Sequence, residues 1–74
     1  MADILAPGDL ARLIAGPGYP TDRAMTVLSV DGRTLVAKDT YHDTLAPEVY
    51  TLRKNGKWAA KGGGQWSNYL RPLS

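Results

Sequence analysis

The only histidine, His42, sits in Asp39-Thr40-Tyr41-His42-Asp43. A neutral imidazole beside carboxylates has the chemistry of a general base or a metal ligand. A closed structural zinc site asks for four ligands, however, and adjacent residues on a strand point to opposite faces. The segment therefore reads as an exposed loop, with the histidine among solvated aspartates. Ser29, Ser67 and Ser74 lack the Gly-x-Ser-x-Gly context of a nucleophile elbow. In Lys61-Gly62-Gly63-Gly64 the lysine precedes the glycines, whereas a phosphate-binding loop places it after them, at a helix start. That run reads as a flexible connector. With no cysteine there is neither a disulfide nor a thiolate metal site. No catalytic residues, cofactor or metal are expected.

The remaining chemistry is that of basic residues among aromatics. Residues 1–37 carry four acids and three bases, a net of −1, while residues 38–74 carry six bases and three acids, a net of +3. From residue 51 onward there are five bases, Arg53, Lys54, Lys57, Lys61 and Arg71, and no acid, interleaved with Trp58, Trp66 and Tyr69. Cations interleaved with aromatic rings can hold phosphates and stack bases, or engage a carboxylate-rich protein surface. The plainer alternative is a solvated hairpin with ordinary surface lysines. Tyr19, in the loop Gly16-Pro17-Gly18-Tyr19-Pro20, is a further candidate contact, or else an anchor that packs back on the domain.

These side chains must be positioned by a very small fold. Seventy-four residues allow one domain. A chain of that length buries only about 60% of its unfolded surface. The apolar fraction of 43% includes no phenylalanine, so Leu, Ile, Met, Tyr and Trp must fill the core. No apolar run is long enough to span a membrane, and the N-terminus lacks a signal pattern, so a soluble cytoplasmic chain is expected.

Residues 9–14 alternate with a period of two and predict a strand. Residues 25–30 and 33–38 flank Asp31-Gly32, a type I′ hairpin signal, and residues 49–54 and 57–61 flank Asn55-Gly56, a second one. The first register pairs Val30 with Arg33, Leu28 with Leu35 and Val27 with Val36, leaving both faces of that hairpin apolar. Such a hairpin is covered on both sides or meets another subunit.

The second register pairs Arg53 with Trp58, Leu52 with Ala59 and Tyr50 with Lys61. Tyr50, Leu52 and Ala59 then face the core. Trp58 is partly exposed beside Arg53, in a cation–π contact worth about 0.5–1 kcal/mol. The absence of phenylalanine gives the opposing reading, a tryptophan in the core. Residues 39–47 read as a loop, 67–70 as one helical turn and 71–73 as a last short strand. Residues 1–6 form a flexible or capping lead, and 7–74 a single domain. Five or six short antiparallel strands with one short helical turn near the C-terminus describe an all-β small barrel, whose closure removes exposed sheet edges.

Gly8-Asp9-Leu10-Ala11-Arg12-Leu13, the glycine loop and Met25-Thr26-Val27 resemble the opening of small bacterial SH3-like proteins. The same stretch is similar, more loosely, to the KOW motif, whose barrels contact RNA or protein. Trp66-Ser67-Asn68-Tyr69-Leu70 resembles the Pro-Ser-Asn-Tyr-Val segment of SH3 domains, with Trp66 in place of the proline. That resemblance implies that Tyr69, with Trp58, lines a peptide groove. Plasmid-type dihydrofolate reductase is also similar, in its Gly-Asp-x-Val-Arg strand, and it works as a tetramer around a pore. Its Val-Gln-Ile-Tyr segment has no counterpart here.

The combined expectation is an SH3-like barrel acting as a non-catalytic binding module, a small bacterial or phage accessory protein. Its partner is nucleic acid or an acidic protein surface, engaged through Arg53, Lys54, Lys57, Trp58, Lys61, Trp66, Tyr69 and Arg71. A self-assembly module acting through the first hairpin is the alternative, with a possible homo-oligomer. An oligomeric pore enzyme comes third.

Overall fold

The computed structural model describes residues 4–16, 20–42, 44–62 and 67–73, without the side chains of Pro20 and Asp22. Tyr19 and Trp66, both candidate contacts, lie outside the described residues. Six strands follow in order: β1 (Leu10–Ile14), β2 (Pro20–Asp31), β3 (Thr34–Asp39), β4 (Glu48–Leu52), β5 (Trp58–Ala60) and β6 (Tyr69–Pro72). Each pairs antiparallel with the next, and β6 pairs back with β1, so the sheet closes into a barrel. The all-β small barrel is thus the fold. The helical turn expected over 67–70 is replaced by strand: Tyr69 and Leu70 open β6, opposite Ile14 and Leu13. Pairing to an otherwise open β1 edge satisfies more backbone groups than an isolated helical turn can. Among the described residues no helix is long and apolar enough to cross a membrane.

Both hairpins differ from the expected register, for reasons found in their turns. Asp31 pairs with Thr34, so the two-residue loop is Gly32-Arg33. Gly32 has φ +61° and Arg33 does not have positive φ. A glycine at the first loop position is the type II′ solution, whereas type I′ needs positive φ at both. Leu28 is then the extra residue of a bulge, between Val27 opposite Ala37 and Ser29 opposite Val36. In the second hairpin the Arg53 carbonyl accepts from Gly56 N–H at 2.9 Å, and Arg53 N–H donates to the Lys57 carbonyl at 2.8 Å. Gly56 has φ +84°. This is a type I turn closed by a glycine bulge, one residue longer than expected. The pairs become Leu52–Trp58, Thr51–Ala59 and Tyr50–Ala60.

The inward faces carry Ala11, Leu13, Met25, Val27, Leu35, Ala37, Tyr50, Trp58 and Leu70. A second long bulge sits in β2, where Leu13 is the only β1 residue between two pairs that span 20–24 on the partner. One end of the barrel is plugged. There Leu5 is buried, and Val30 and Leu52 pack on the same core. Residues 6–9 hold that lead in place through a Pro7-Gly8 turn, in which Asp9 N–H donates to the Ala6 carbonyl at 3.0 Å and Gly8 has φ +91°. Gly8 N–H also donates to the Val27 carbonyl at 2.8 Å. Proline then glycine at the two central positions, with the glycine at positive φ, is the type II signature. Among the described residues the opposite end carries Arg23, Asp39, Glu48 and Lys61.

Candidate functional site

Because side chains alternate in and out along a strand, the one-residue change of register in the second hairpin exchanges its faces. Trp58 turns inward opposite Leu52 and Leu70 and is only 4% exposed. It is not the partly exposed platform beside Arg53 that the shorter turn implied. In a chain without phenylalanine it supplies the largest core side chain, together with Tyr50. Ala59, expected in the core, is buried at 7% exposure, but its register places it between Thr51 and Tyr69, on the face opposite to that of Trp58.

The outer face of β5 and β6 holds a groove of about 470 Å³. Ala59 and Tyr69 form its floor, and Arg53, Lys54 and Lys57 of the turn form one wall. Gly16 and Ser67 line its other side. Four of the expected contact residues therefore meet here, and no acidic side chain lines the groove among the described residues. The Lys57 ammonium sits 4.4 Å from the centre of the Tyr69 ring. The cation–π contact in this region is thus Lys57 with Tyr69, and it covers a ring face that a base would need for stacking.

Arg71 lies two residues beyond Tyr69 on the same outer face of β6, and β1 brings Arg12 directly opposite it. Both are exposed. Like charges directly opposite each other destabilise a sheet. Arg12 was missed in the sequence because nothing local shows that β1 and β6, almost sixty residues apart, will pair. Leu10, 47% exposed, shares the outer face of β1 with Arg12. It lines a groove of about 310 Å³ with Ile4, Asp9, Pro72 and Leu73 at the plugged end. Lys61 does not join this surface. It lies beyond β5 at the end of the barrel away from Leu5.

Asp39 also differs from expectation. It is the last residue of β3, faces inward and is 2% exposed, where the sequence suggested a solvated loop carboxylate. Its Oδ1 accepts from Tyr41 N–H at 3.0 Å and pairs with His42 Nδ1 at 2.9 Å, and its Oδ2 accepts from Arg23 Nε at 2.9 Å. The hydrogen bonds to His42, Arg23 and the Tyr41 amide hold its carboxyl well below the usual carboxylate range, against the opposing effect of burial. The same bond to Asp39 raises the Arg23 guanidinium further. His42 is exposed, and among the described residues no cluster of three His, Asp or Glu side chains forms around the pair.

Tyr50 donates its hydroxyl to Glu48 Oε2 at 2.6 Å. Burial first, and then that bond, push its phenol above the ordinary tyrosine value. Comparison with known proteins gives no match to any protein-family model, curated protein or solved structure.

Proposed function

We propose that this protein is a non-catalytic binding module whose outer β1–β6–β5 face holds an acidic segment of a partner protein. The observation that carries this reading is the groove walled by Arg53, Lys54 and Lys57, which no acid lines among the described residues, with Arg71 and Arg12 continuing the positive outer face along β6 and β1. Two further features favour protein over nucleic acid. Trp58 is in the core and Lys57 covers the Tyr69 ring, so among the described residues this groove offers no bare aromatic face of the kind on which single-stranded nucleic acid stacks. Exposed Leu10 and the apolar groove beside it supply an anchor for aliphatic side chains. Within this proposal the barrel is of the SH3-like class, on the resemblance of residues 8–13 and 25–27, and Tyr69 lines the groove as the Ser-Asn-Tyr resemblance implies.

The test is a titration followed by amide chemical shifts. One arm uses peptides that alternate Asp or Glu with Leu, and the other uses mixed-sequence single-stranded DNA and RNA, each over a salt series. The acidic peptides should saturate shifts in 53–59 and 69–71, and Lys57→Glu with Arg71→Glu should weaken them at least about tenfold. Oligonucleotides that bind more tightly, with an affinity falling steeply in salt, would transfer the site to nucleic acid.

Self-assembly is a second reading. It rests on Leu28, 42% exposed at its bulge, and Val49, 37% exposed opposite Val36. Sedimentation equilibrium of the wild type against Leu28→Lys decides it, because a dimer lost in the variant would establish that face as the interface.

A further inference from the structure

The end of the barrel away from Leu5 is built differently from the basic groove and stands independently of it. A cavity of about 360 Å³ enters there, between the start of β4, the end of β5 and the approach to β6. That is close to the lower limit of small-molecule sites, and barrel mouths are a common place for them.

Two cations and one carboxylate line it: Arg23, Lys61 and Glu48. Arg23 is aimed by its own strand. The Thr21 hydroxyl donates to the Leu13 carbonyl across the β1–β2 bulge and accepts from Arg23 N–H at 3.2 Å. Bulges often re-aim a side chain in this way. The guanidinium is then pinned through Nε by Asp39, itself held by His42 and the Tyr41 amide. Its Nη2 lies 3.8 Å from Met25 Sδ, and the side chain remains 38% exposed. An arginine fixed by a buried carboxylate, with one edge left toward a cavity, is a preorganised oxyanion donor.

Glu48 is fixed in turn by the Tyr50 hydroxyl on Oε2, leaving Oε1 as an acceptor. Leu13, Val49 and Ala60 add aliphatic surface to the lining, beside Tyr50 and Asn68.

We infer that this mouth binds a small zwitterion of the α-amino acid class. Arg23 and Lys61 take the carboxylate, Glu48 takes the ammonium, and a short aliphatic side chain lies against Leu13 and Ala60. A dianion such as phosphate meets Glu48 as a like charge and is disfavoured.

The test is an amide chemical-shift titration of the full chain with four probes: L-alanine, N-acetyl-L-alanine, L-alaninamide and inorganic phosphate. L-Alanine should produce saturable shifts at residues 60, 61 and 68. The two blocked analogues, each lacking one charge, should bind at least about tenfold more weakly. Lys61→Ala and Glu48→Gln alter exposed side chains, so their own spectra report whether the fold is kept. Each should weaken L-alanine by about fivefold or more, and Glu48→Gln should erase its advantage over N-acetyl-L-alanine.

Lys57→Glu should leave L-alanine binding unchanged, which separates this site from the basic groove. Binding of phosphate or N-acetyl-L-alanine as tight as that of L-alanine would overturn the inference in favour of a plain anion site. So would the absence of saturable shifts up to roughly 50 mM, beyond the millimolar range that suits so small a ligand.

Discussion

Asp39 is the residue on which the end of the barrel away from Leu5 depends. Its carboxyl is held low by His42, Arg23 and a backbone amide. A depressed folded-state value means that its contribution to stability is complete above the ordinary carboxylate range and is lost as pH falls through it. The urea midpoint of the wild type should therefore drop as pH falls below about 4. Asp39→Asn should start lower at pH 7 and show a flatter acid limb. An equally steep limb in the variant would assign the acid loss to other carboxylates.

Trp58 is decided by packing. Trp58→Ala empties the largest core position and should cost about 3–5 kcal/mol, most of the stability of so small a domain. Trp58→Phe should keep the fold. Denaturant melts followed by circular dichroism distinguish this from a surface tryptophan, whose removal would move the midpoint little.

At the scale of elements, the turns fix which residues face where. Gly32 has φ +61°, and open space surrounds the position a Cβ would take. The cost of Gly32→Ala is thus backbone strain alone, about 1–2 kcal/mol, and Gly32→Asn should cost less because asparagine tolerates this region. Thermal melts of the two variants check the order.

The β1–β6 pair carries the opposite kind of tension. Arg12 and Arg71 are cross-strand partners, and both are exposed. Arg12→Glu should stabilise the fold by about 0.2–1 kcal/mol while weakening an acidic partner. A variant that gains stability and keeps full peptide affinity would remove Arg12 from the binding face.

At the scale of the whole molecule, closure is the organising fact. β6 satisfies the edges of both β1 and β5. A chain truncated before Tyr69 exposes both edges and loses Leu70 from the core. It should lose its cooperative unfolding transition and associate through the bared strands. Light scattering together with a broadened melt would report this, and a sharp melt from a monomer would show that β6 is dispensable.

Local sequence was enough to determine β1, β3, β4, β5 and the second half of β2, the places of the two hairpin turns, and a positive C-terminal half rich in candidate contacts; it missed the first half of β2 and the start of β6. Period-two alternation and the Asp-Gly and Asn-Gly pairs are short-range signals, set by backbone sterics within a few residues. They did not reveal turn type. One residue of difference at Gly56 moved Trp58 into the core and Ala59 onto the groove floor. Nor did they reveal the partners of distant strands. Arg12 reached the basic face and Tyr69 became strand instead of helical turn only when β6 paired with β1, and Asp39 met Arg23 only through the β2–β3 pairing. Those outcomes depend on pairings between residues far apart in the chain, and only packing and hydrogen-bond satisfaction across the whole barrel select among them.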